Sequence, residues 1–297
     1  SDDPQLRGLA YTQLIVMLNT YSTTKHSDCF QGFNGDELCE KALMDAADNP
    51  TVLCHCGKYF KNSDIDKSIE LIEKSLSIRK NTIAFHYLGI CYEEKAETLA
   101  MGCLSPKEKY LKKYSPTKSP FDIQSSKKLL DENCSLVQKS EKNYKEAIML
   151  SKQRNIPSIL SLGKLYQRSN RFKQALQQFR QIIRLEDTKV DYLVALITAY
   201  EGAGICLQEL RKIHQEKSQE FYVQGREYFT KAISLAADLA SMKSGPQQCR
   251  TFVWKSFEML KKDIDCMNEC KDKSKEYIRL LKLIGDYRGI VTAIETI

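Results

Sequence analysis

The segment from Ile156 to Asp187 constrains the fold more than any other, because its small and large apolar residues recur at helical spacing. A Leu162-Gly163 pair followed by Tyr166 indicates a first helix with a small contact point. After a polar turn, four apolar residues recur at intervals of four, three and three: Ala175, Phe179, Ile182 and Leu185. These intervals place them on one helix face. A helix pair this short buries its apolar faces only by stacking on similar pairs, which predicts an all-α repeat fold.

The segment resembles the tetratricopeptide-repeat consensus, which spaces a first-helix Gly and a second-helix Ala as Gly163 and Ala175 are spaced here. The resemblance implies a right-handed superhelix of helix pairs, an α-solenoid that binds a partner. Weaker copies of the pattern occur elsewhere in the chain. The predicted repeat-core residues are Gly57, Gly89, Tyr92, Leu162, Gly163, Tyr166, Ala175, Phe179, Gly225, Phe229 and Ala232.

The copies divide the chain into six predicted parts, two of which are repeats split by helical insertions. The insertions cover about 95–142 and about 201–224. We expect them to lengthen helices and to mark the binding face, as insertions in repeat proteins usually do. The parts are a divergent helical unit (1–49), a repeat (50–79), a split repeat (82–155), the near-consensus repeat (156–187), a second split repeat (190–240) and C-terminal helices (247–297).

A narrower resemblance covers residues 82 to 185. The run from Phe85 to Tyr92, the long insertion and the later Tyr144-Lys145-Glu146-Ala147 segment are similar to interferon-induced proteins with tetratricopeptide repeats. That resemblance implies an antiviral, RNA-binding relative.

Two sets of residues are candidates for binding a partner. The first set lies on the predicted inner face of first helices: Lys58, Lys61, His86, Lys164 and Gln167. The second set lies in the long insertion, where aromatic residues interleave with lysines: Lys107, Lys109, Lys112 and Lys113. Lysines beside aromatic rings suit phosphate contact and base stacking, although a solvated loop has the same composition.

These residues leave two functions open. A scaffold that binds a protein or peptide in its concave groove is favoured, because the basic signal is diffuse; RNA binding through the same lysines is the alternative. The formal net charge of +7 permits an anionic partner without requiring one.

Catalysis finds little support in the sequence, so we predict a protein that is not an enzyme and needs no cofactor. The four histidines lie in unrelated contexts, and no phosphate-binding loop or nucleophile motif occurs. The Cys54-His55-Cys56 run invites a zinc interpretation, but Zn²⁺ requires about four converging ligands. We therefore predict that these thiols pack in the core and that no metal binds.

The remaining composition bears on the compartment. Eleven cysteines, an odd and irregularly spaced set without a signal peptide, indicate reduced thiols and a cytoplasmic or nuclear protein. No run of about 18 apolar residues predicts a membrane helix. The start at Ser1-Asp2-Asp3-Pro4 suggests a domain taken from a larger protein.

Overall fold

A computed structural model describes residues 3–21, 34–102, 130–131, 134–185, 190–241, 256 and 260–261. Within these ranges the chain is helical apart from turns and a short 3-10 segment, Gln215–Lys217, and it contains no strand. The all-α prediction is therefore confirmed. The helices are α1 (Pro4–Tyr21), α2 (Gly35–Asp45), α3 (Pro50–Phe60), α4 (Ile65–Ile78), α5 (Thr82–Gly102), α6 (Ser135–Leu150), α7 (Ile156–Arg168), α8 (Phe172–Ile183), α9 (Val190–Ile213) and α10 (Ser218–Ser241).

Side-chain caps set several of the helix starts. Asn49 Oδ1 accepts hydrogen bonds from the backbone N–H groups of Thr51 and Val52 at 3.0 and 3.4 Å. Asp64 Oδ1 accepts from Lys67 N at 3.0 Å in the same way. Each cap satisfies a backbone donor that has no partner within the helix. Asn and Asp before an apolar run thus begin α3 and α4.

The chain forms two compact units whose boundary lies between Ser158 and Ile159, near the start of α7. In the first unit the helices pack as three pairs, α1 with α2, α3 with α4, and α5 with α6, and α4 also packs on α5. In the second unit α8 packs on α9, and α9 packs on α10.

In the α3–α4 and α5–α6 pairs, a glycine on the first helix contacts a bulky side chain on the second helix. A Cβ atom built on Gly57 would lie 2.5 Å from the Ile72 side chain. On Gly89 it would lie 2.6 Å from the Tyr144 ring. Real Cβ atoms do not approach so closely, so glycine is what allows these helices to touch.

The second unit uses the same contact. The Phe179 ring of α8 lies 2.8 Å from a Cβ built on Gly163 of α7 and 2.6 Å from one built on Gly202 of α9. Phe229 of α10 lies 2.7 Å from a Cβ built on Gly204. Phe179 therefore fills the space between two first helices, as stacking of successive pairs requires.

Every predicted repeat-core residue is buried. Gly57, Gly89, Gly163 and Gly225 are among the buried glycines of the helices. The buried side chains of the set are Tyr92, Leu162, Tyr166, Ala175, Phe179, Phe229 and Ala232.

A left-handed residue makes the turn between α7 and α8. Asn170 has a φ of 57°, a conformation that Asn tolerates better than most residues. Arg171 N donates to Tyr166 O at 2.8 Å across this turn, which satisfies a carbonyl at the end of α7. The polar turn in the sequence is thus a helix-ending motif with a specific residue requirement.

Both insertions differ in extent from the sequence prediction. The first helix of the split repeat 82–155 continues to Gly102, and its second helix begins at Ser135. Residues 135–142 therefore belong to the repeat, because Ser140 already packs on Gly89.

The register of the second split repeat also differs. The sequence placed a helix-lengthening insertion at about 201–224, and α9 runs unbroken from Val190 to Ile213. Ala203, Cys206 and Leu207 are fully buried, and Gly204 meets Phe229. The core of this pair thus lies within the predicted insertion, and the extra length lies between Gly204 and Gly225.

Length and composition would allow α9 to span a membrane over Tyr192–Ile213. Half of that window is buried against neighbouring helices, and its glycines hold the rings of Phe179 and Phe229. These contacts describe a core helix of the second unit.

Candidate partner-binding surface

The candidate surface of the first unit is formed by α3 and α5. Lys58 of α3 places Nζ 4.9 Å from the centre of the Tyr87 ring, and Lys61 places Nζ 2.9 Å from Glu94 Oε1. We call the accessible side of these two helices the α3–α5 surface. Ile83 is exposed and the other residues of the surface are half-buried. It consists of Thr51, His55 and Lys58 on α3, Lys61 directly after α3, and Ile83, Tyr87, Ile90 and Glu94 on α5.

Charges on this surface are partly offset from within the chain. The side chain of Lys61 is only 19% exposed and forms an ion pair with Glu94. The ammonium group of Lys58 lies over an aromatic face, an attraction that leaves its positive charge in place. Of the two predicted lysines of α3, one is therefore committed to an intrachain partner and one still carries an uncompensated charge.

His86 is half-buried at the base of the surface. Its Nδ1 lies 3.0 Å from Ser158 Oγ, and its ring packs 5.9 Å from the Tyr144 ring, centre to centre. Burial, and secondarily the charge of Lys58, lower the pKa of His86 to about 4. At neutral pH this imidazole is uncharged, so His86 does not attract phosphate as a cation.

The Cys54-His55-Cys56 run does not converge on a metal. Cys54 and Cys56 are buried in separate apolar clusters, and Cys56 Sγ lies 3.9 Å from the carbonyl oxygen of Cys39. Burial raises the pKa of the Cys54 thiol to about 11, which disfavours the thiolate that binds metal or attacks an electrophile. Across the described ranges, no group of three or more His, Cys, Asp or Glu residues is arranged to hold a metal ion.

Polar contacts behind the surface hold α5 in place. The Tyr92 hydroxyl donates to Glu73 of α4, and Lys95 pairs with Asp66 of the same helix. The Tyr144 hydroxyl of α6 donates to Glu93 Oε2 at 2.8 Å. Since α5 is tied to both neighbours, its exposed residues present a fixed pattern.

Lys164 and Gln167 belong to the second unit, on α7. Lys164 is exposed and Gln167 is half-buried. Nearby, the Arg171 guanidinium stacks 4.4 Å from the centre of the Tyr166 ring. The structure thus brings Lys58, Lys61 and His86 together and describes Lys164 and Gln167 as part of a separate unit. The four candidate lysines of the long insertion, and the predicted C-terminal helices apart from three residues, lie outside the described residues.

Sequence reasoning missed Tyr87 and Glu94 as parts of the surface. The signal was present, because Ile83, Tyr87, Ile90 and Glu94 recur at intervals of four, three and four. That spacing defines a stripe on one face of α5.

No model of a known protein family matches the chain, and no curated protein matches it in sequence. The helix pairs and their glycine contacts decide the fold. The chain has a tetratricopeptide-type helical-repeat fold.

Solved structures to which the chain is similar include helical-repeat proteins of low sequence identity. A crystal structure of MamA protein shares 15% identity over 80% of this chain and 96% of that chain, with a TM-score of 0.47. Pseudomonas aeruginosa PilF shares 14% identity over 92% and 99%, with a TM-score of 0.48. A human IFIT1 dimer with PPP-AAAA shares 15% identity over 93% and 54%, with a TM-score of 0.47.

Proposed function

We propose that this chain is a non-enzymatic scaffold that binds a protein partner through the α3–α5 surface. The observation that carries the proposal is the mixed chemistry of that surface, where exposed Ile83 and half-buried Tyr87 and Ile90 adjoin the Lys61–Glu94 ion pair and the ammonium group of Lys58. Protein interfaces combine apolar contacts with a polar rim in this way.

RNA binding remains the second candidate, supported by the lysines and aromatic residues of the insertion sequence. Affinity for RNA depends on several phosphate contacts. On the α3–α5 surface, Lys61 is paired with Glu94 and His86 is uncharged at neutral pH. This surface alone offers too few free cations, so RNA binding would have to depend on Lys107, Lys109, Lys112 and Lys113.

The compartment belongs to the same proposal. Cytoplasmic or nuclear action suits a chain whose cysteines include Cys39, Cys56 and Cys206, which are fully buried free thiols in the core.

Photocrosslinking tests the location of the protein site. A benzoylphenylalanine in place of Tyr87 should crosslink a protein partner in cell extract, and the same residue in place of exposed Lys142 on α6 should not. Equal crosslinking from both positions, or from neither, would contradict a protein site on the α3–α5 surface.

Fluorescence anisotropy with capped, triphosphorylated and unmodified RNA, at low and physiological salt, tests the alternative. We expect no dissociation constant below about 10 µM at physiological salt, the range of non-specific binding. Tighter binding that K112E and K113E weaken would favour the RNA function.

A further inference from the structure

Two partly exposed stripes with the same spacing lie on α3 and α5. On α3 the stripe contains Thr51, His55 and Lys58, at intervals of four and three. On α5 it contains Ile83, Tyr87 and Ile90, again at intervals of four and three. Residues spaced in this way form one face of a helix, so each stripe runs along its helix axis.

The stripes lie side by side and form a seam. Lys58 lies over the Tyr87 ring, and further along both helices, one turn on from Lys58 and two turns on from Tyr87, Lys61 pairs with Glu94. The contacts advance in the same direction on both helices, so α3 and α5 run parallel. The Lys61–Glu94 ion pair marks one end of the seam.

Apolar side chains line the α5 side of the seam. Ile83 is 48% exposed, while Tyr87 and Ile90 are half-buried. These three residues are spaced like the a and d positions of a heptad. An amphipathic partner helix with apolar residues at the same intervals can pack against them.

Positive charge lines the α3 side. Lys58 has Tyr87 as its close partner, and Arg79 Nη2 lies 3.3 Å from Thr51 Oγ1 at the start of α3. No carboxylate within the described part of the chain forms an ion pair with either cation. Thr51 and Lys58 are seven residues apart, so Arg79 and Lys58 mark positions about 10 Å apart along the axis of α3.

We propose that this seam binds an amphipathic α-helix of a partner protein that carries two acidic residues one heptad apart. The apolar residues of the partner helix pack on Ile83, Tyr87 and Ile90, and its two carboxylates pair with Lys58 and Arg79. Two acidic residues separated by seven positions span about 10 Å on a helix, which equals the separation of the two cationic positions. The inference rests on the proposed function and names the chemistry of its partner.

Peptide display on the full 297-residue chain tests the proposal with two libraries. One library presents 21-residue helical peptides with apolar a and d positions and randomised flanking positions. The other presents unpatterned linear peptides. We expect the helical library to be enriched in peptides with Glu or Asp at positions seven apart. Enrichment of peptides without that acidic pair, or no enrichment of helical peptides, would overturn the inference.

Charge reversal locates the contact. With a selected helical peptide, K58E and R79E together should weaken binding by about tenfold or more, because they place like charges opposite its carboxylates. K142E is the matched control, since Lys142 is exposed on α6 away from the seam, and it should leave the affinity unchanged. Circular dichroism of each variant establishes that it is folded. Equal affinities for the double variant and the control would overturn the assignment of the cations.

The outcomes distinguish failure of the seam inference from failure of the proposed protein-binding function. If linear peptides bind and crosslink at position 87 while helical acidic peptides do not, the protein-binding function stands and the seam inference fails. If neither library yields a binder and RNA binding is lost in K58E, both fail, and the surface binds nucleic acid.

Discussion

Gly89 and Gly225 are both buried glycines within helices, but their surroundings differ. A Cβ on Gly89 would lie 2.6 Å from the ring of Tyr144, which is fully buried and held by Glu93. A Cβ on Gly225 would lie 3.7 Å from Leu207 Cβ and 3.8 Å from Gly204 O, both ordinary contacts.

Alanine at these two positions should therefore have opposite effects on the free energy of unfolding. Gly89→Ala should destabilise by about 1–3 kcal/mol through overpacking. Gly225→Ala should stabilise by about 0.5–1 kcal/mol because Ala has the higher helix propensity. Urea unfolding monitored by circular dichroism measures both. Destabilisation of similar size in both variants would show that the contact at Gly89 is not specific.

His86 links stability to pH at the residue scale. Its pKa of about 4 in the folded protein lies below the ordinary value of 6.5. As the pH falls below about 6.5 the unfolded state takes up the proton first, so the stabilisation present above that pH is progressively lost towards pH 4. Between pH 7.5 and 5 we expect His86 to account for a loss of about 2 kcal/mol.

The variant His86→Gln should lose less stability over the same pH interval when urea unfolding is repeated at each pH. His214→Gln serves as the control, because His214 lies just after the end of α9, far along the chain from His86, and its ring contacts Glu216. An unchanged pH dependence in His86→Gln would contradict the assignment.

In the α3–α4 and α5–α6 pairs of the first unit, a serine occupies the small-residue position of the second helix and bonds to the first helix. Ser68 Oγ donates to Gly57 O at 2.7 Å, and Ser140 Oγ donates to Gly89 O at 2.8 Å. In the second unit Ala175 is the corresponding residue and makes no such bond. Serine thus adds a buried hydrogen bond between the helices of a pair.

Replacing Ser140 by alanine should destabilise the chain by about 0.5–1.5 kcal/mol, the usual net contribution of a hydrogen bond. Thermal and urea unfolding measure the change. Ser77→Ala is the control, because its exposed hydroxyl bonds only within its own helix, to Lys74 O. A more stable Ser140→Ala variant would show that burial of the hydroxyl outweighs the bond.

At the scale of elements, the sequence could locate helix pairs but not every register. Gly163 and Phe179 were found because the segment is close to a consensus. Gly204 was missed because nothing beside it resembles that consensus, and only its contact with Phe229 reveals its role. Ser140 was missed because a small polar residue on a helix surface has the same sequence appearance as one at a helix contact.

The candidate surface was partly predictable for a related reason. Lys58 and Lys61 could be placed on a first helix from periodicity alone. Their partners Tyr87 and Glu94 depend on how α3 and α5 are aligned, and side chains about 30 positions apart in sequence are related only by packing. Local spacing carries no information about that alignment.

At the scale of a whole unit, one aromatic ring is shared by three helices. Phe179 is 1% exposed and fills the space between Gly163 of α7 and Gly202 of α9. Phe179→Ala should cost about 3–5 kcal/mol, as expected for a large cavity. Amide hydrogen exchange should show lost protection in α7 and α9 as well as α8.

Gln177→Ala, an exposed substitution on α8, is the control for that experiment and should leave the exchange pattern unchanged. Loss of protection confined to α8 would show that Phe179 does not couple its neighbours.

The serine contacts also imply an order of assembly. Ser68 reaches Gly57 across 11 positions of sequence, but Ser140 reaches Gly89 across 51. Contacts between distant positions form more slowly because more chain entropy is lost before they stabilise the fold. The α3–α4 pair should therefore form early and supply a template on which α5 docks, and α6 should join last. Until α6 docks, the face of α5 at Gly89 is not covered by the Tyr144 ring. A newly made chain therefore exposes an apolar patch that the folded protein buries.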